Sequence, residues 1–122
     1  MSVPIRQPTP AVTAADVERI ARRDYPAEQV DEVLALLRSY GVESWEVEVP
    51  RVQLALLRLG EGAIDRLRLH LAYAKRDYRD VLLGAEYLTY AALTLRNATP
   101  DAGDAQAAIN ADWASYTEWL QR

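Results

Sequence analysis

His70 is the single histidine of the 122-residue chain, and the residues around it are of types that carry out acid and base chemistry. At about 100° per residue, Arg66, His70, Tyr73 and Asp77 fall within one narrow arc of a helix, with Gly84 on the same arc and Asp80 at its edge. An imidazole that titrates near neutrality, a nearby carboxylate, a guanidinium, a phenol and a side-chain-free glycine would make a small-ligand face or a general acid/base site. The competing account is structural. The arc flanks an apolar stripe, where charged and amphipathic residues of bundle helices ordinarily pair with neighbouring helices. That account carries more weight, because ion pairs on helix faces far outnumber catalytic ones.

Other chemistries are narrowed by what the chain lacks. Without cysteine there is no disulfide framework, no thiolate zinc site and no thiol nucleophile. One His, with no Glu-x-x-His pair and no His-Glu-x-x-His motif, leaves only the oxygens of Asp77, Asp80 and Glu86, so no metal site is expected. Ser39, Ser44 and Ser115 lie in no Gly-x-Ser-x-Gly context, and Gly60 and Gly62 lack the Lys of a phosphate loop. No cofactor is expected, and a binding protein is a better reading than an enzyme.

Charge points the same way. The formal net charge of −4 opposes a chain whose main task is to grip a polyanion. A basic stripe of Arg68, Lys75 and Arg79 does exist, with Arg51 and Arg58 one heptad apart before it, but Glu28, Asp31, Glu32, Glu43, Glu46 and Glu48 offer it internal partners. Intramolecular pairing is therefore expected, and a weak nucleic-acid-associated regulator is the third-ranked reading. The excess of Arg over the single Lys, with much Ala, suggests a GC-rich bacterial genome.

The aromatic residues cluster late, at Tyr87, Tyr90, Trp113, Tyr116 and Trp119. The last three repeat every third residue and so drift around a helix, which one small core cannot easily absorb on one side. Tyr and Trp serve interfaces well, since they bury large area with few torsions. These five form a candidate interface, with membership of the core as the competing reading.

The elements that would position these groups are all helical. Residues 1–12 contain Pro4, Pro8 and Pro10 without periodicity and read as a short flexible arm; residues 13–122 read as a single helical domain. Thr13, with Asp16 three residues on, opens a first helix that ends before Pro26, and Pro26 opens a second that ends near Gly41. Ser44 is the next cap candidate, with Pro50 either starting the third helix or kinking it. From Ile64 the apolar spacing continues through Leu67, Leu71, Ala74, Tyr78, Leu82 and Ala85. An unbroken helix from Ala63 to Leu95 would be about 50 Å long against about 35 Å for a compact domain, so a bend is expected near Gly84 to Tyr87. Thr99, Pro100 or Asp104 begins the last helix, with Ala105, Ile109, Trp113 (or Asp112), Tyr116 and Leu120 inward. The fold class is all-α, a compact bundle of about five helices.

The blocks RVQLALLRLGEG (Arg51 to Gly62) and AKRDYRDVLLGAEY (Ala74 to Tyr87) resemble a family of short bacterial helical proteins with no assigned activity. The resemblance spans roughly Asp16 to Tyr87 and implies a small helical fold without a substrate. Members often carry a Pro after the Ala-Glu-Tyr triplet, where this chain has Leu88.

The leading reading is a non-enzymatic protein-protein interaction module. It would self-associate as a homodimer, or dock another protein, through the surface around Tyr87 to Leu95 and the C-terminal helix. A ligand-binding protein or enzyme built on Arg66, His70, Tyr73 and Asp77 comes second. No apolar run approaches the roughly 20 residues that span a bilayer, and the start carries no signal-peptide core, so a cytoplasmic protein without membrane contact is expected.

Overall fold

The computed structural model describes residues 4–122, and among these the regular secondary structure is entirely helical. Seven α-helices are present where about five were expected: α1 Ala14–Asp24, α2 Val30–Arg38, α3 Val49–Gly60, α4 Ile64–Arg76, α5 Tyr78–Glu86, α6 Leu88–Arg96 and α7 Ala102–Gln121. The difference lies in the long periodic stretch after Ala63, which is three helices rather than one. Its breaks fall at Asp77 (φ −155°, ψ 102°) and Tyr87 (φ −136°, ψ 50°). The second lies in the expected window and forms without a proline. The first has a local cause: the Asp77 carboxylate accepts the backbone N–H of Arg79 at 3.0 Å, capping α5 in competition with a continuous helix.

The chain divides into two compact units, one of Ala11–Leu82 and one of residues 4–10 with Leu83–Arg122, the division falling within α5. In the first, α3 packs on both α1 and α4, and Val52 through Leu57, Gln53 included, are all buried, so the middle turns of this helix are covered on every side. Its start settles the Pro50 alternative: α3 begins at Val49, with Pro50 in the first turn where a missing N–H costs nothing, and Glu48, not Ser44, stands before it at φ +56°. Val17, Ile20 and Ala21 of α1, and Val30, Val33, Leu34 and Leu37 of α2, complete the core at the expected helical spacings. A 3₁₀ turn, Ala27–Gln29, follows Pro26 and leads into α2. Gly60 lets α1, α3 and α4 meet: a Cβ there would stand 2.7 Å from the Tyr25 hydroxyl and 3.4 Å from the Leu67 Cβ. Burial, reinforced by the Asp24 charge, raises the Tyr25 pKa to about 12.

In the second unit α6 packs on α7. Asp101 caps α7, its carboxylate accepting the N–H groups of Gly103 (2.9 Å) and Asp104 (3.2 Å). The inward positions of α7 are Ala105, Ile109, Asp112, Tyr116 and Trp119, an alternating 4-3-4-3 spacing that selects Asp112 over Trp113 and Trp119 over Leu120. Of the expected N-terminal arm, residues 1–3 lie outside the described residues. The described part is non-helical and engaged with this unit: Gln106 bridges the backbone of Arg6 at 2.8 and 3.0 Å, the Tyr87 hydroxyl donates to the Pro8 carbonyl, and Pro10 is buried.

Candidate functional site

Three places concentrate polar or unpartnered side chains. The first is the α4 arc around His70. His70 and Tyr73 stack edge to face with centroids 5.8 Å apart, an ordinary contact one helical turn apart. Arg66 is exposed, reaching Glu61 at 3.6 Å and the Leu59 carbonyl at 3.4 Å. Asp77 stands beyond the end of α4, where its carboxylate takes both guanidinium contacts of Arg79 at 2.9 and 2.8 Å. These contacts, with the Arg79 backbone N–H, hold the Asp77 carboxyl below the ordinary carboxylate range. Burial, then the Arg66 charge, lower the His70 pKa, against an opposing pull from Glu61. Both effects favour the neutral imidazole. Arg66, His70 and Tyr73 lie on α4, with Arg66 paired to Glu61 and His70 in ring contact with Tyr73, whereas Asp77 lies beyond the helix and is directed to Arg79 and the start of α5. Among the described residues no group of three or more His, Asp or Glu side chains is placed to hold a metal ion.

The second place went unsingled in the sequence beyond its charge. Glu46, between α2 and α3, is buried to 4 % exposure. Its Oε1 accepts backbone N–H groups from Glu43 (2.9 Å), Val42 (3.1 Å) and Gly41 (3.4 Å), and Lys75 Nζ lies 3.0 Å from Oε2. Lys75 also donates to the Ser39 carbonyl, Tyr40 donates its hydroxyl to the Val47 carbonyl at 2.7 Å, and Gln53 donates to the Leu37 carbonyl at 2.8 Å. Burial pushes the Glu46 carboxyl up, but the Glu43 amide, the Lys75 ammonium and the Gly41 amide outweigh it and hold the pKa below its usual value. Every donor to Glu46 is a loop amide or a lysine already bound to a carbonyl, so the carboxylate folds the 39–48 loop onto α4. The rest of the basic stripe is similarly occupied: Arg68 pairs with Glu32 and with Asp65 (3.2 Å), and Arg51 with Glu48 (3.7 Å).

The third place is α6. Of the five late aromatics, Tyr87, Tyr116 and Trp119 are buried, Tyr116 and Trp119 packing with centroids 5.6 Å apart, while Tyr90 and Trp113 are half-buried. Asp112 reaches from α7 to accept the N–H groups of Tyr90 (2.9 Å) and Thr89 (3.2 Å), satisfying two of the orphan donors at the start of α6. The helix so anchored buries none of its own side chains. Tyr90, Leu93 and Thr94 are half-buried, whereas Leu88 and Leu95 are 65 % and 88 % exposed, with Ala92 exposed between them. Spacings of four and three put Leu88, Ala92 and Leu95 on one line, with Ala91 at its edge. The line falls within the Tyr87 to Leu95 stretch that the sequence marks as a candidate interface, although the residues singled out there are aromatic.

No family model, curated protein or solved structure matches this chain. The two blocks that carry the family resemblance are accounted for by their physical roles: the first forms α3 and the Gly60–Gly62 turn, and the second supplies Lys75, the Asp77 break and α5.

Proposed function

We propose that the protein is a non-enzymatic interaction module that engages another protein surface through the outer face of α6. One observation carries this reading: α6 buries no side chain of its own, while Leu88 and Leu95 line up with Ala92 on the solvent side. An isolated exposed leucine is commonplace, but leucines aligned along a short helix held in place from behind cost solvation that a partner would recover. With Arg96 as its single charge, α6 lacks the basic face with which amphipathic helices hold anionic membranes, so a protein partner suits it better.

Native mass spectrometry of the freshly purified, untagged chain, compared with a Leu88→Lys, Leu95→Lys double variant, tests this. The expected result is an assembly in the parent protein that the double variant lacks. A monomer carrying a retained small molecule would contradict the proposal and favour the His70 face, the second reading. An assembly that persists in the double variant would place the contact elsewhere than α6.

A further inference from the structure

Resting on the α6 reading for its functional consequence, we infer that residues 4–10 of the N-terminal arm are a detachable clasp: docked, they hold the start of α6 firm, and released, they loosen it. The arm has no regular secondary structure. Pro4, Pro8 and Pro10 fix φ near about −65° and push Gln7 and Thr9 towards extended backbone, so the free arm has few conformations to lose on docking. Its seat grips backbone atoms. The Gln106 side-chain amide lies along Arg6 much as a neighbouring strand would, Oε1 accepting the Arg6 N–H at 2.8 Å and Nε2 donating to the Arg6 carbonyl at 3.0 Å. Asn110, one turn further along α7, orients this amide by accepting from Nε2 at 2.9 Å. Two residues on from Arg6, the Pro8 carbonyl accepts the Tyr87 hydroxyl.

The grip is orderly but shallow. Residues 4–9 are exposed even when docked, so detachment uncovers little apolar surface. Segments of this kind open locally, at a free energy well below that of global unfolding. The link to α6 runs through Tyr87. Its ring is buried, it stands immediately before α6, and its carbonyl accepts the Ala91 N–H at 2.9 Å in the first turn of that helix. Tyr87 therefore sets the entry of the chain into α6 beside Asp112, whose carboxylate takes the Thr89 and Tyr90 amides. Release of the arm removes the Pro8 carbonyl from Tyr87 and leaves this entry less constrained. By linkage, a partner that binds the ordered α6 binds more tightly when the arm is docked, and its binding holds the arm down in return.

Hydrogen exchange read residue by residue by NMR on the full chain tests both halves of the clasp. In the parent protein the Arg6 amide should exchange at a rate nearly independent of urea below the unfolding transition, while the buried Ile109 amide of α7 speeds up with urea. Gln106→Ala, a partly exposed helix position where Ala is well tolerated, should speed exchange at least fivefold at Arg6 and at least twofold at Thr89 and Tyr90. Tyr87→Phe, which removes only the hydroxyl, should reproduce the twofold effect at Thr89 and Tyr90. These amides report the clasp whether or not α6 has a partner, so failure of the α6 reading is detected separately, in the Leu88→Lys, Leu95→Lys variant. Arg6 exchange that follows urea as Ile109 does would overturn detachment, because the arm would then leave only with global unfolding. An Arg6 amide indifferent to Gln106→Ala would overturn the seat, and Thr89 and Tyr90 amides unchanged in both variants would overturn the control of α6.

Discussion

The 39–48 loop and helix α6 are organised by the same device, a buried carboxylate that collects backbone N–H groups from a neighbouring segment, yet they end in opposite states. Glu46 binds three loop amides and Lys75, and the loop it gathers belongs to a unit whose central helix is covered on every side through its middle turns. Asp112 binds two amides of α6, and the helix it fixes leaves Leu88 and Leu95 in solvent. One carboxylate closes a structure; the other holds one open. Glu46 and Asp77 are thus consumed by the fold, whereas Leu88 and Leu95 are left in solvent.

Removing the closing carboxylate should have the largest effect on stability. Glu46→Ala leaves several loop amides and Lys75 without their acceptor and is expected to cost about 3 kcal/mol, read as a lower urea midpoint at constant slope. A loss below about 1 kcal/mol would show that the loop is not held by this carboxylate. Gly60→Ala comes next: a Cβ at 2.7 Å from the Tyr25 hydroxyl must displace a buried ring, for about 2 kcal/mol by the same measurement. Asp112→Ala should cost about 1 to 2 kcal/mol and speed hydrogen exchange at the Thr89 and Tyr90 amides. Unchanged protection at those two amides would remove the parallel between the two carboxylates.

Acid titration sharpens the comparison further. The folded-state pKa of Glu46 is depressed, so its contribution is fully present above the ordinary carboxylate value of 4.5 and is lost as pH falls through the lower, folded value. The melting temperature of the parent protein should therefore fall more steeply below about pH 4.5 than that of Glu46→Gln. Parallel curves would contradict the assignment. The smallest effect is expected at His70: His70→Ala should shift stability by less than about 0.5 kcal/mol, as befits a partly exposed residue in a local stacking pair. A larger loss at His70 would make the α4 face a structural element in its own right.

Much of this was legible beforehand, for reasons that residues make plain. The stripes of α1 and α2, the role of Pro26 and the break at Tyr87 follow from local periodicity and length. The breaks that escaped follow from side-chain choices that periodicity does not register. Asp77 sits within a regular apolar repeat and ends the helix because its carboxylate prefers the Arg79 amide. The spacing on α7 admits either Trp113 or Asp112, and only the α6 amides that need an acceptor decide for Asp112. At the candidate sites, the shared arc of Arg66, His70, Tyr73 and Asp77 could be read from helical spacing, while the pairing of Asp77 with Arg79 depends on the backbone turning there. Leu88, Ala92 and Leu95 have the spacing of a buried stripe, and sequence alone cannot say which side of α6 meets α7.

The central claim, that the outer face of α6 is where this protein meets another, is tested most directly by placing a photo-cross-linking residue at Leu95 and, as control, at exposed Asp65 on α4. On irradiation of intact cells producing each variant, discrete protein adducts are expected from position 95 and not from position 65. Adducts of equal yield from both positions, or none from position 95, would contradict the account.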